Sequence, residues 1–393
     1  MRVSAFLCLP LLLLPLAQAA LATPFTPATD QEVLEVLPAR AADPRMRELR
    51  QLRAALAADP RDAEAAVRLA RRYHEEVAAE GDPRYIGYAQ AALAPWWSLA
   101  DPPIEVRVMR AVLLQFSHQF VPALADLDAA VQQDPEQGEA WAWLAAIHMV
   151  QADYAGARQA CEHVAPLATP LIGVACTASI DSVTGQAAKA VSALQTALQQ
   201  NPQAAPEEQL WVLTRLAETE ERRGQSALAE AAFRRALALG ITDGYLLAAY
   251  ADYLLDHGRP AEVLVLLKDK SRSDLLLLRL ALAAKALNSP ALAAWQNDLA
   301  ARFDAARLRG DTVHQKEESR FALAVQGEAQ RALTLATQNY AVQREPADAR
   351  ILLEAAVAAK HPEAAEPVLK WMASSGIESV ALQSLANKLK GGT

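Results

Sequence analysis

The sequence repeats itself at an interval of 34 residues, and this periodicity limits the possible folds more than any other feature. A shift of 34 places superimposes residues of similar size or type: Ala111 on Ala145, Phe120 on Tyr154, Ala123 on Ala157, Leu213 on Leu247, Ala217 on Ala251 and Gly224 on Gly258. A repeat of this length is one supersecondary unit that buries its apolar face against its neighbours. The sequence therefore predicts a stacked array of similar units.

Each period carries the signals of two helices. In the first helix, apolar and small residues recur at helical spacing, as in residues 141–148. Gly224 and Gly258 follow such helices and can adopt the left-handed conformation of a helix cap. The second helix often opens with proline, which the first helical position tolerates because its amide has no intrahelical partner. These prolines are Pro260, Pro290 and Pro362.

The alanines indicate where the two helices of a unit touch. Antiparallel helices joined by a short turn approach to about 8–10 Å where the contact residues are small. Ala145 and Ala157 stand at such positions, with Trp141, Leu144 and Tyr154 around them. The pattern thus predicts antiparallel helix pairs that small side chains allow to pack closely.

Position by position, the units resemble the tetratricopeptide repeat (TPR). The stretches "AWAWLAAIHMVQADYAGARQACEHV" and Val212–Leu239 match most of the large and small places of that family. The resemblance runs from about Asp43 to Lys390. It implies an all-α, right-handed α-solenoid whose concave face is lined by the first helix of each pair, with each unit touching only its neighbours. Helix pairs are predicted to begin near residues 30, 61, 104, 138, 171, 210, 244, 274, 314 and 347.

Three places depart from the repeat pattern. Arg107 stands where a large apolar residue is expected, and the helix after Arg61 continues into "YHEEVAAEGDPRY". The repeat after residue 274 is predicted to be about four residues short of the family length. These departures affect the predicted boundaries of the units and leave the fold class unchanged.

The N-terminus has the three parts of a secretory signal peptide. Arg2 supplies the positive charge, residues 6–16 are apolar, and A-x-A motifs predict cleavage after Ala19 or Ala22. The apolar run is too short to span a bilayer, and no integral membrane span is predicted. We expect a soluble, exported, periplasmic protein with four parts: a signal peptide (1–22), an N-terminal extension or cap (23–42), TPR-like repeats (43–377) and a C-terminal capping helix with its tail (378–393).

Two cysteines, Cys161 and Cys176, remain after cleavage and would enter an oxidising compartment. They can form a disulfide if their helices are neighbours, or they can be free packing residues. A metal site that adds His148 and His163 is a third alternative. Because His148 and Cys161 take core places of the repeat, we predict neither a metal nor a cofactor.

Charge and motifs argue against nucleic-acid binding and catalysis. The net charge is −8 and basic residues are spread along the chain, so no phosphate-binding patch is predicted. The sequence lacks G-x-S-x-G, a P-loop, C-x-x-C and G-x-G-x-x-G. His74 and Glu75 begin a zinc-protease motif that Ala78 leaves incomplete. We predict that the protein is not an enzyme.

Aromatic residues are concentrated between residues 81 and 103. Tyr85 and Tyr88 are three residues apart and share a helix face, and Trp96 and Trp97 are adjacent. This aromatic patch could bind a partner or a sugar, or it could seal the N-terminal end of the solenoid. The second interpretation is favoured.

The resemblance implies a peptide-binding groove, because TPR grooves commonly hold peptide segments through five fixed places of the first helix. In two successive repeats these places hold Trp211, Thr214, Glu218, Glu221, Arg222, Tyr245, Ala248, Asp252, Leu255 and Asp256. This surface is aromatic and acidic, so a basic or extended peptide would suit it. A solvated face without a ligand is the alternative.

The predicted function is a non-enzymatic scaffold or adaptor of the cell envelope that holds an exported protein or peptide segment in the groove. Two alternatives stay open. One is a peptidoglycan-cleaving envelope enzyme carried on a helical superhelix, and the other is a metal or small-ligand binder near Cys161 and Cys176. The sequence gives no prediction of the oligomeric state.

Overall fold

The computed structural model describes Thr29, residues 44–82 and residues 84–391. The chain divides into two compact units, Met1–Arg47 and Glu48–Thr393. The predicted signal peptide (1–22) and, apart from Thr29, the predicted extension (23–42) lie outside the described residues. The first described helix is α1 (Pro44–Ala58). The fold below is that of the second unit.

Nine helix pairs follow α1 in the described residues, which contain no strand. The first helices of the pairs are α2 (Ala63–Glu80), α5 (Ile104–Phe116), α7 (Gly138–Val150), α9 (Pro170–Asp181), α11 (Pro206–Arg222), α13 (Gly244–Asp256), α15 (Asp274–Ala286), α17 (Gln315–Phe321) and α19 (Pro346–Ala359). The second helices are α3 (Arg84–Ala92), α6 (Phe120–Gln133), α8 (Tyr154–Leu167), α10 (Ala187–Gln200), α12 (Ser226–Leu237), α14 (Pro260–Leu266), α16 (Leu292–Leu308), α18 (Ala329–Val342) and α20 (Glu366–Ser375). A short α4 (Ala94–Trp97) follows α3, and α21 (Val380–Gly391) comes last. This order confirms the predicted all-α solenoid of helix pairs.

Small residues and helix caps lie where the sequence pattern indicates. Ala145 and Ala157 are 4% and 0% exposed and belong to one core cluster that joins α5 to α8. Gly224 and Gly258 follow the ends of α11 and α13 with φ of 75° and 68°, a conformation that costs glycine least. Observed starts of the first helices lie within about four residues of the predicted ones from residue 61 onward. The start predicted near residue 30 is outside the described residues.

The irregular repeat lengths differ from the prediction. The helices α13 and α15 begin 30 residues apart, whereas α15 and α17 begin 41 residues apart. The predicted shortening after residue 274 is therefore wrong, because the short repeat is the preceding one. Its second helix, α14, has only 7 residues, while α16 has 17. Glycine and proline mark the turns between helices, and they leave the helix lengths open.

Helix α5 carries two arginines into the core of the second unit. Arg107, which takes an apolar place of the repeat, is 7% exposed and forms an ion pair with Asp101. Arg110 is 8% exposed and forms a bidentate pair with Asp126 of α6 at 2.6 and 2.7 Å. Charged groups at such low exposure require partners, and both arginines have them.

Helix pairs that are distant in sequence also touch. The indole N–H of Trp371 donates to the Tyr154 hydroxyl over 2.8 Å, and the Arg344 amide donates to the Val150 carbonyl over 2.7 Å. The helix α2 packs on α13. The expectation that each unit touches only its neighbours is therefore wrong. Repeat periodicity does not encode contacts between pairs that are distant in sequence.

One of these contacts depends on a glycine. Gly81, just after α2, has φ of 68°, and a Cβ placed there would lie 2.4 Å from Oγ of Ser273. Glycine lets the end of α2 approach the turn that precedes α15. Among the described helices, none combines the length and the apolar character needed to cross a membrane.

Candidate functional site

The first helices α11 and α13 bring two predicted groove aromatics to one cavity. Trp211 and Tyr245 line a space of about 200 Å³, which we call the α11–α13 cavity. Its other lining residues are Glu207, Leu210, Thr214, Arg215, Ile241 and Asp243. The cavity places side chains from two successive repeats within reach of one ligand group.

Arg215 lines this cavity and contacts both Tyr245 and Glu218. The repeat pattern did not indicate this residue. Its guanidinium carbon lies 4.7 Å from the ring centroid of Tyr245, a cation–π distance. A guanidinium nitrogen of Arg215 lies 3.2 Å from the Glu218 carboxylate, and the Tyr245 hydroxyl donates to Glu218 over 2.5 Å. The three side chains therefore form one network. Arg215 lies outside the five family places, so the resemblance gave no signal for it.

Tyr245 borders the cavity and also lies close to charged side chains. Its surface is 47% exposed. Burial among the surrounding helices raises the pKa of its phenol, Arg215 opposes that effect, and Glu218 and Glu345 reinforce it. The phenol is neutral around pH 7 and can act as a hydrogen-bond donor.

Arginines of the protein itself form ion pairs with two acidic residues of the predicted groove, Asp252 and Asp256. Asp252 accepts hydrogen bonds from Arg279 at 2.7 and 3.0 Å and from Arg320 at 2.6 Å. Asp256 accepts two from Arg350, that of Nη2 over 2.7 Å. These arginines belong to α15, α17 and α19, so the ion pairs join four first helices. A ligand would have to compete with them for both carboxylates.

The other predicted groove residues are unequal in exposure. Thr214 and Ala248 are buried, at 1% and 4%, and the Thr214 hydroxyl donates to the Leu210 carbonyl over 2.8 Å. Leu255 is partly buried against the core. Of the ten residues, Trp211, Thr214 and Tyr245 line the α11–α13 cavity. Whether any of them contacts a partner stays a prediction.

Glu221 and Arg222 retain unused hydrogen-bonding capacity. Glu221 lies 4.0 Å from His257, and burial raises the pKa of its carboxyl. Arg222 donates to Oγ of Ser182 over 3.0 Å, and burial lowers the pKa of its guanidinium. Oε2 of Glu221 and Nε of Arg222 are buried and have no hydrogen-bond partner among the described residues. Such orphaned buried atoms are rare and deserve a physical explanation.

The aromatic patch separates into two groups. Tyr85 and Tyr88 pack around Tyr73 with ring centroids 5.9 and 5.6 Å away. Trp96 is 8% exposed, and Trp97 is partly buried against the core cluster that contains α5 to α8. Tyr88, at 48% exposure, is the member of this set most open to solvent. That the patch seals the solenoid stays a prediction.

The cysteines and histidines that formed the alternative metal site have other partners. Cys161 and Cys176 are joined by a disulfide, with Cα atoms 5.6 Å apart. The Nδ1 atom of His148 lies 2.8 Å from the Asp153 carboxylate. The His163 ring stacks on Trp141 at a centroid distance of 3.9 Å. In residues 44–82 and 84–391, no group of three or more His, Cys, Asp or Glu is arranged to hold a metal ion. The geometry therefore gives no support to the metal alternative.

Three solved structures are similar to this chain in their helical fold. One is a tetratricopeptide repeat protein from Parabacteroides merdae, 14% identical over 60% of this chain and 92% of that one, with a TM-score of 0.44. The second is the APC/C hetero-tetramer Cut9-Hcn1, 12% identical over 88% of this chain and 60% of that one, with a TM-score of 0.43. The third is the C-terminal part of a TPR repeat-containing protein from Cytophaga hutchinsonii, 16% identical over 62% and 93%, with a TM-score of 0.32.

No family model and no curated protein matches the chain. The description of the helical-repeat fold therefore rests on this chain's own helices and their pairing. The description of the candidate site rests on this chain's own side chains.

The ion pairs of Asp252 allow a test of how much they stabilise the packing of α13 with α15 and α17. Burial by itself would raise the pKa of Asp252, but Arg279 and Arg320 outweigh it and hold the pKa well below its usual value. Such a carboxylate contributes stability that is complete above its unfolded pKa and is lost as the pH falls toward its folded pKa. We expect Asp252→Asn to lower the free energy of unfolding at pH 7 by about 2 kcal/mol, since two arginines lose their shared partner.

Urea unfolding at pH 7 and pH 3 measures this effect. The difference between the wild type and Asp252→Asn should narrow by on the order of 1 kcal/mol at pH 3. Asp304→Asn is the control, because Asp304 forms an exposed pair with Arg307 within one helix and should change stability by less than about 0.5 kcal/mol. A difference that stays constant between the two pH values would show that Asp252 does not titrate as described.

Proposed function

We propose that the protein is a non-enzymatic binding scaffold of the cell envelope that holds an extended, basic segment of an exported partner protein. The α11–α13 cavity is the observation that carries this proposal. At about 200 Å³ it is smaller than a typical small-molecule pocket. It has room for one large side chain of a peptide, the kind of anchor that dominates binding energy at protein interfaces.

The cavity favours a basic side chain with an apolar stem. Trp211 and Leu210 supply apolar wall, while Glu207 and Asp243 supply carboxylates. The charge of Arg215 is offset by Glu218 at 3.2 Å. A lysine or arginine of the partner could lay its stem along Trp211 and place its charge near the two acids.

The position in the cell envelope rests on the predicted signal peptide at residues 1–22. An exported scaffold would meet partners that are exported as well. The stacked helix pairs support this role, because a solenoid offers an extended surface on a rigid frame.

Peptide binding tests the proposal directly. The purified chain would be titrated with a fluorescent peptide of alternating lysine and leucine and with its glutamate counterpart. Fluorescence anisotropy should show tighter binding of the basic peptide. The double variant Trp211→Ala/Tyr245→Ala should weaken this binding at least about tenfold, because it removes two aromatic anchors. Asp252 is left intact, since its ion pairs hold the fold.

Leu308→Ala is the matched control, because Leu308 is 89% exposed at the end of α16 and far from the cavity in sequence. It should bind the basic peptide like the wild type. Equal binding of the basic and acidic peptides, or unchanged affinity of the double variant, would remove the α11–α13 cavity as the binding site.

A further inference from the structure

A second concave surface lies between the α11–α12 turn and the last helix, α21. Its volume is about 1010 Å³, five times that of the α11–α13 cavity. We call it the α21 groove. Its lining residues are Arg222, Arg223, Gln225, Ile377, Glu378, Ser379, Val380, Gln383, Ser384, Asn387 and Lys388. The repeat pattern does not indicate this surface, because α21 reaches it only through the tertiary fold.

Two of the cations in the α21 groove form no ion pair with any carboxylate in the part of the chain that the structure describes. Arg223 is paired with Glu220 at 2.8 Å. By contrast, no described carboxylate lies within 4.0 Å of the charged nitrogens of Arg222 or Lys388. The lone acid of the lining, Glu378, already accepts a hydrogen bond from the Ala187 amide over 3.2 Å. The groove therefore carries an excess of positive charge.

Arg222 is held in place with part of its donor capacity unused. Its Nη2 atom donates to hydroxyls of Ser182 and Thr219, at 3.0 and 3.2 Å. Within residues 44–82 and 84–391, its buried Nε atom has no hydrogen-bond partner. A guanidinium fixed by neutral hydroxyls keeps its full charge available, and guanidinium donors match the oxygens of carboxylate and phosphate groups. Burial lowers the pKa of Arg222, Arg215 adds to that effect, and the carboxylates of Glu218 and Glu345 oppose it only in part.

Two helices also begin at the α21 groove. The helix α12 starts at Ser226, directly after the lining residue Gln225, and α21 starts at the lining residue Val380. Both helices have 12 residues, and the N-cap residue of α12 makes no side-chain capping hydrogen bond. The first amides of a helix lack intrahelical acceptors and carry partial positive charge. At α21 the Leu382 amide donates to the Ser379 hydroxyl over 3.3 Å, and the remaining first amides of the two helices add to the charge of Arg222 and Lys388.

We propose that the α21 groove binds an anionic ligand through a carboxylate or phosphate group. Arg222 and Lys388 are the charged contacts. The side chains of Gln225, Ser384 and Asn387 supply further hydrogen-bonding groups along the groove. This proposal does not depend on the partner peptide of the α11–α13 cavity, because the two spaces share no lining residue.

Calorimetric titration of the full chain with two probes tests the inference and distinguishes the sources of the anion. One probe is inorganic phosphate and the other is a blocked tetraglutamate peptide, with blocked tetraglutamine as the neutral comparison. Saturable binding of phosphate alone assigns a phosphate ligand, and binding of tetraglutamate alone assigns carboxylates. Binding should weaken as salt rises, because screening reduces the attraction.

Charge-neutralising variants locate the site. Arg222→Gln should raise the dissociation constant of the bound probe by about tenfold or more, since it removes a charge-assisted hydrogen bond. Lys388→Gln should raise it several-fold, and its exposed position leaves folding unaffected. Lys268→Gln neutralises another exposed lysine and should leave the constant unchanged. Trp211→Ala should also leave it unchanged.

Three results would overturn the proposal. They are the absence of saturable binding of both charged probes, equal binding of tetraglutamine, and an equal loss with Lys268→Gln and Lys388→Gln. Thermal unfolding of Arg222→Gln shows whether that variant is folded. If it is unfolded, Lys388→Gln decides the outcome.

Discussion

Replacing Arg110 with alanine is expected to lower the free energy of unfolding by about 3–5 kcal/mol, because it leaves a buried carboxylate without its partner. Arg110 pairs with Asp126 at 2.6 and 2.7 Å, and the side chains are 10% and 11% exposed. The same guanidinium donates to the carbonyls of Trp97 and Leu99, over 2.8 Å each. Arg110 therefore joins α5 to α6 and to the end of α4.

Urea unfolding followed by circular dichroism measures this effect. Arg68→Ala is the matched control, because Arg68 forms an exposed pair with Glu64 within one helix, and its loss should cost less than about 1 kcal/mol. The double replacement Arg110→Met/Asp126→Leu should recover much of the stability, because it removes both charges together. If Arg110→Ala cost no more than Arg68→Ala, the buried pair would not be holding these helices.

Removing the disulfide is expected to cost about 3 kcal/mol, the value for a cross-link that closes a loop of about 15 residues. Cys161 and Cys176 are 15 residues apart and connect α8 to α9, the adjoining helices of two successive pairs. The cross-link restricts the unfolded chain at a boundary between repeats. The double variant Cys161→Ala/Cys176→Ala removes it without leaving a free thiol.

Unfolding in urea with and without dithiothreitol checks the second prediction. The reductant should destabilise the wild type by about the same amount as the double substitution. It should leave the double variant unchanged, which is the control for effects of the reductant elsewhere. A wild type that is insensitive to the reductant at concentrations that yield two free thiols would contradict the prediction.

The repeat pattern was sufficient to predict the fold class and the starts of the first helices. Ala145, Ala157, Gly224 and Gly258 are local signals, since each is specified by its own turn or its own helix contact. Such signals act within one unit of about 34 residues, so one sequence shows them without any knowledge of distant contacts. Helix length was less well specified, and the short repeat was assigned to the wrong place.

The candidate site was only partly predictable, because sequence signals that act within one unit do not specify contacts between repeats. The family places gave Trp211 and Tyr245, which line one cavity. They did not give Arg215, which lies over the Tyr245 ring. They also gave Asp252 but not its partners, Arg279 and Arg320 from later repeats. Sequence spacing cannot predict a partner 68 residues away.

The sequence by itself determined that this chain forms stacked helix pairs, since helix periodicity, small contact residues and capping residues act over a few turns of chain. The tertiary structure alone decided which pairs that are distant in sequence meet. It brings Trp371 against Tyr154 and Arg350 against Asp256, because such contacts depend on how every pair between them packs. The same packing decides which charges of the first helices are paired.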